Sequence, residues 1–174
     1  MAFLGENLKD SLKKIAGSIL FFGGIIYILG TTIGNKYNSL ISNSSILFLG
    51  VSMIIGAYFI QKAISNPVFS ILLVLAGIGA APLGLLSPDS MIYFVFAGIE
   101  YVAFGLCAII SYKLVRSPLG YFSIILGIVS YISVALWISG IELSPGISLT
   151  PIVADLADRL WLIGFGAYII GNSK

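Results

Sequence analysis

Apolar stretches of about 20 residues, separated by short polar turns, recur six times along the chain. A hydrocarbon core of about 30 Å takes about 20 helical residues to cross, so the pattern predicts an all-α, polytopic membrane helix bundle with six transmembrane helices. The expected spans are residues 15–33, 45–64, 68–86, 91–112, 119–141 and 151–171, forming one transmembrane domain over 15–171. Residues 1–14 are polar, with Leu4, Leu8 and Leu12 spaced by four and Lys9, Lys13 and Lys14 mostly off that stripe. This spacing predicts a separate amphipathic helix on the cytoplasmic surface ahead of the first span.

The turns have their own chemistry. Residues 34–44 are rich in Asn, Ser and Gly and read as a loop. Asn66-Pro67 closes the next turn, because the residue before a proline resists helical geometry. Ser87 to Ser90 forms a tight connection, and Lys113 to Pro118 a basic one. A longer loop over 142–150 leads to Pro151, expected as the first residue of the last helix. Pro82 follows four small residues, Gly77, Gly79, Ala80 and Ala81; it is expected to free the carbonyl of Ile78 and kink the third span. Small-residue pairs, Gly30 with Gly34 and Ser52 with Gly56, permit close helix approach, and Gly120, Gly127, Ser130 and Ser133 share one face of the fifth span.

Orientation follows from the basic residues. With the N-terminus inside, Lys9, Lys13, Lys14, Lys62, Lys113, Arg116 and Lys174 lie on the inner side, against Lys36 and Arg159 outside. The positive-inside rule then places both termini in the cytoplasm of a multi-pass cell-membrane protein. Tyr37, Tyr93, Trp137 and Trp161 fall near the outer boundary, and Tyr58, Tyr112, Tyr121 and Tyr168 near the inner one, as interfacial belts.

Composition narrows the chemistry further. The chain is 59% hydrophobic and 9% charged, against roughly 25% charged in soluble domains. A net charge of +2, scattered along the sequence, excludes a nucleic-acid surface. Histidine is absent, which removes His-ligated zinc and the Ser/His/Asp and Cys/His catalytic sets; no cofactor or metal is expected. The single cysteine, Cys107, forms no intrachain disulfide and reads as a small buried packing residue.

One constellation stands out against the apolar background. Glu100 lies near the middle of the fourth span, where a charge costs about 2.5 to 3.5 kcal/mol on insertion scales. At ~1.5 Å per residue it sits roughly 13 Å below the outer surface, and Arg159 roughly 12 Å below it. An ion pair between them is possible if the fourth and sixth helices are neighbours. Asp155, four residues before Arg159, is an alternative partner and benefits from the helix N-terminus. With Asp158, Ser52, Ser130, Ser133 and the carbonyl freed by Pro82, these groups concentrate polarity in the outer half. They predict either a satisfied buried network tying the fourth helix to the sixth, or an intramembrane pocket open to the outside and closed at the cytoplasmic end.

Three sequence segments resemble a known family. Tyr37-Asn38 followed by Asn43 to Gly50, the run Gly84 to Asp89, and Asp158-Arg159-Leu160-Trp161 are similar to family 998 of the domains of unknown function, six-helix archaeal and bacterial membrane proteins. The Ser-Asp-Leu-Gly element of that family's first outer loop is absent, as is a histidine early in the fourth span. The resemblance implies a six-helix membrane fold and no particular activity.

Three functions fit these observations. A binding or transport module would use the polar pocket for a small cation, a proton or a lipid headgroup, and is the preferred reading. An accessory or scaffolding subunit would turn its glycine-rich faces to partner helices or a second copy, within membrane lipids. A metal-dependent lipid-modifying enzyme would need Asp89, Glu142, Asp155 and Asp158 to converge, and is the least well supplied.

Overall fold

The computed structural model describes residues 2–140 and 149–173, with the side chains of 2–5, 35–37, 137 and 149–151 excepted. The described chain is all α, without strands: α1 (Ala2–Tyr37), α2 (Ser39–Ile64), α3 (Pro67–Leu83), α4 (Met91–Ser111), α5 (Leu119–Ile138) and α6 (Leu149–Gly171). Four helices are long and apolar enough to cross a membrane, over Glu6–Gly34, Ser39–Ile64, Met91–Ser111 and Leu119–Leu136. Helix α3 is equally apolar but only 17 residues long. Helix α6 carries Asp155, Asp158 and Arg159 in its first half.

Three expected boundaries are corrected. The N-terminal segment is not a surface helix followed by a span but one helix of 36 residues. No helix-breaking residue separates the two parts, and a Lys13–Asp10 ion pair of 2.9 Å adds a local link near the junction. The expected loop over 34–44 is nearly all helix. Only Asn38 interrupts it, and its side chain accepts from the Leu40 N–H at 2.9 Å to cap α2. Pro82 does not kink a longer helix; it sits in the last turn of α3, and its carbonyl accepts from Leu85 and Leu86 at 2.9 and 3.0 Å. The helix ends one residue after the proline, so nothing continues beyond it to bend.

The break at Asn66-Pro67 falls where the sequence places it. Ser65 takes a left-handed conformation with φ 56°, and Asn66 Oδ1 accepts from the Phe69 N–H at 3.1 Å. Pro151 lies in the first turn of α6, two residues after its start. Glu142 and the loop over 142–148 lie outside the described residues, as do the side chains of Tyr37 and Trp137.

Each helix packs antiparallel against the next, and α6 returns to α1, closing a ring in chain order. Close approach at small residues sets the register. Gly34 and Gly30 lie on Ser42 and Ser45 of α2, Gly77 lies on the Gly50 carbonyl, and Gly127 lies on the Gly105 carbonyl. At the closing seam a Cβ on Gly17 would stand 2.7 Å from the Gly166 carbonyl oxygen. The seams offered by the glycines in sequence are thus filled by the chain's own helices. Helices α4 and α6 also touch across the ring.

The interior of the helix ring is filled by rings of another kind. Phe69, Phe104, Trp161 and Phe165 are all essentially inaccessible. Phe104 meets Trp161 edge-on at 5.2 Å, and Trp161 stacks on Phe165 at 5.3 Å. Trp161 is therefore not an interfacial anchor as its position suggested. Its indole N–H donates to Ser111 Oγ at 2.9 Å, so the polar edge is satisfied inside the bundle and needs no water. Cys107 is buried beside this cluster, its sulfur 3.9 Å from the Phe69 carbonyl.

Candidate functional site

Glu100 is delivered by α4, whose first turn is capped by Ser90 Oγ accepting from the Tyr93 N–H at 3.2 Å. Gly79 of α3 lies against the Glu100 backbone, where a side chain would collide, and this brings the carboxylate to the inside of the ring. Arg159 reaches it from α6. Its Nη2 donates to Glu100 Oε1 at 2.7 Å and lies 2.8 Å from Asp155 Oδ1, so both acids proposed as partners share one nitrogen. The side chains of Arg159 and Glu100 are each 3% exposed, whereas that of Asp155 is 29% exposed.

The guanidinium is also held on its faces. It lies 4.3 Å from the Tyr27 ring centroid and 5.2 Å from that of Phe104, a cation between two aromatic surfaces. Tyr27 has a second contact, its hydroxyl donating to Asp155 Oδ2 at 2.9 Å. Helices α1, α4 and α6 are thereby tied together by one cluster.

Asp155 opens this cluster to the outside of the protein. A pocket of about 410 Å³ between the C-terminal half of α1, the start of α2 and the start of α6 is lined by Tyr27, Thr31, Thr32, Ser42 and Asp155. The Thr31 and Thr32 hydroxyls donate to the carbonyls of Tyr27 and Ile28 at 2.8 and 2.6 Å. Their protons are committed, so what they turn to the pocket is lone pairs. Together with the Asp155 carboxylate they give one face of the pocket acceptor character, while Ile46 and Ile152 complete its wall.

The remaining expected residues divide. Asp158 is buried on another face of α6, directed to the Ser130 hydroxyl of α5. Ser133 is buried one turn further along α5. Ser52 does not belong to the cluster. It packs against Gly23 in the α1–α2 seam, and its hydroxyl donates to the Phe48 carbonyl at 2.7 Å. Asp155 and Asp158 face different helices, and among the described residues no three His, Cys, Asp or Glu side chains gather as metal ligands.

Tyr27, Thr31 and Phe104 were not anticipated. Tyr27 and Thr31 are four apart in the last third of α1, so the depth arithmetic that matched Glu100 with Arg159 applies to them too. Phe104, one turn after Glu100, carries no signal that separates it from other apolar residues of α4. No family model matches the chain, and comparisons with curated proteins and with solved structures likewise return no match.

Proposed function

We propose that this is a six-span cell-membrane protein with both termini in the cytoplasm, whose outward pocket binds a small positively charged solute or an amine-bearing lipid headgroup. The observation that carries this reading is Asp155, the accessible acid of a buried cluster, at the base of an acceptor-lined pocket of about 410 Å³. That volume falls in the range of small-ligand sites, roughly 300 to 1,000 Å³, and exceeds the needs of a bare ion. Helices α3 and α6 complete the six crossings, because ring closure covers Glu100, Asp158 and Arg159 with protein while Asp155 opens to the pocket. The resemblance to family 998 of the domains of unknown function agrees with such a topology.

Binding fits better than catalysis. The accessible carboxylate, Asp155, is held by a guanidinium and a phenol, so it presents a fixed negative charge to the pocket. The aromatic fill of the inner half blocks a continuous polar path, so the ligand enters and leaves by the same mouth in this conformation. The test is thermal melting of the purified protein with ethanolammonium chloride, using glycerol as a neutral control. Stabilisation by the amine that Asp155→Asn abolishes supports the reading. Equal responses to amine and glycerol overturn it.

A further inference from the structure

Of the three acids near Arg159, Glu100 and Asp155 are ion-paired with it and Asp158 is not. It is 1% exposed, and Ser130, which faces it, is fully buried. Neither carboxylate oxygen of Asp158 closes a well-formed hydrogen bond with a protein group, and neither does Ser130 Oγ. Three buried oxygen atoms therefore meet with only the Ser130 proton to share among them, an arrangement that normally goes with a bound partner.

Arg159 does not supply that partner. Adjacent positions on a helix point about 100° apart, so Asp158 and Arg159 do not face each other. The guanidinium is turned to Tyr27, Phe104, Glu100 and Asp155, and its single charge is already shared between two carboxylates. Its Nε and Nη1 are free of hydrogen bonds, yet no ion pair joins it to Asp158. The cluster thus holds three acids and one base, and Asp158 is the acid that no ion pair reaches.

We infer that Asp158 and Ser130 form an occluded site for one small hard monovalent cation, of the sodium class, between α5 and α6. Carboxylate and hydroxyl oxygens are the ligands such cations take. One acid balances one charge, whereas the several carboxylates usual for a divalent ion are not gathered among the described residues. Ser133, one turn along the buried face of α5, places a further hydroxyl-bearing residue near the site. This site is distinct from the Asp155 pocket in position and in ligand.

The experiment is melting of the full-length protein in detergent across a sodium chloride series, with caesium chloride holding ionic strength constant. Because a ligand of the folded state stabilises by mass action, the expected Tm rises with the logarithm of sodium concentration above saturation onset. Asp158→Asn should abolish the sodium response, and Ser130→Ala should shift it to higher sodium. Asp155→Asn should keep it, which separates this site from the amine pocket. Asp158→Asn keeps the shape and removes the charge; a retained sodium response in that variant overturns the proposal. So does a parent protein equally stable in sodium and caesium. A stability that follows pH but ignores sodium, with that dependence lost in Asp158→Asn, also overturns it, in favour of a proton. The charged and titratable groups around Asp158 that bear on this last result are Glu100 and Cys107 on α4, Tyr131 on α5, and Asp155 and Arg159 on α6.

Discussion

The two ends of the ring solve the same packing problem with opposite chemistry. At one end Tyr27, Glu100, Asp155 and Arg159 cross-link α1, α4 and α6 through short polar contacts. At the other, Phe69, Trp161 and Phe165 fill the centre by ring-on-ring contact, and Phe104 lies between the two, touching both Arg159 and Trp161. An aromatic fill tolerates small shifts, because dispersion is non-directional. A buried charge does not, because each member left alone keeps its full desolvation cost. The polar end should therefore be the part of the bundle whose loss is abrupt, and the aromatic end the part that yields by degrees.

Single substitutions can break that contrast. Arg159→Ala should have the largest effect, about 3 to 5 kcal/mol, since it leaves Glu100 and Asp155 without their counter-charge. Unfolding in mixed micelles would measure it, and adding Glu100→Gln and Asp155→Asn to the same chain should recover much of the loss. If the triple variant is no better than Arg159→Ala, stranded charge is not the cause. Trp161→Ala should cost a similar or slightly smaller amount, about 3 to 4 kcal/mol, through the cavity it opens. Trp161→Phe should retain most of the fill and lose about 1 kcal/mol for the bond to Ser111, a graded series that the polar end should not reproduce.

Smaller changes sharpen the picture. Tyr27→Phe removes the donor to Asp155 but keeps the ring over the guanidinium; a loss of about 1 kcal/mol, together with weaker amine binding, is expected from melting in the presence of ethanolammonium. Ser52→Ala should change stability by no more than about 0.5 kcal/mol, since its hydroxyl only bonds its own helix. A large effect there would mean that the α1–α2 seam, and not the charged cluster, holds that end together.

Much of this was legible in the sequence, for identifiable reasons. Hydrophobic runs reveal helices because backbone groups in lipid must be paired internally. Glu100 and Arg159 were matched because helical rise converts residue number into depth. The polar run at 34–44 misled, because Asn, Ser and Gly serve turns and close helix contacts equally well. Here Asn38 caps while Ser42 and Ser45 pack on Gly34 and Gly30. Trp161 misled for a related reason: an indole suits a membrane boundary or any core that offers one acceptor, and Ser111 is fifty residues away in sequence. Which side of α6 Asp158 faces was not readable, because that depends on α5 being its neighbour and not merely on depth.

Ring closure between α1 and α6, sealed where Gly17 meets Gly166, has a consequence for biosynthesis. Of the six helices, α1 is completed only by α6. In the six-span topology proposed above, Glu100 would enter the bilayer ahead of its cation, and α6 in turn brings three charged side chains that only the finished assembly shelters. Removing α6 should therefore leave an acid uncompensated as well as delete a helix, a ready mark for quality control to recognise.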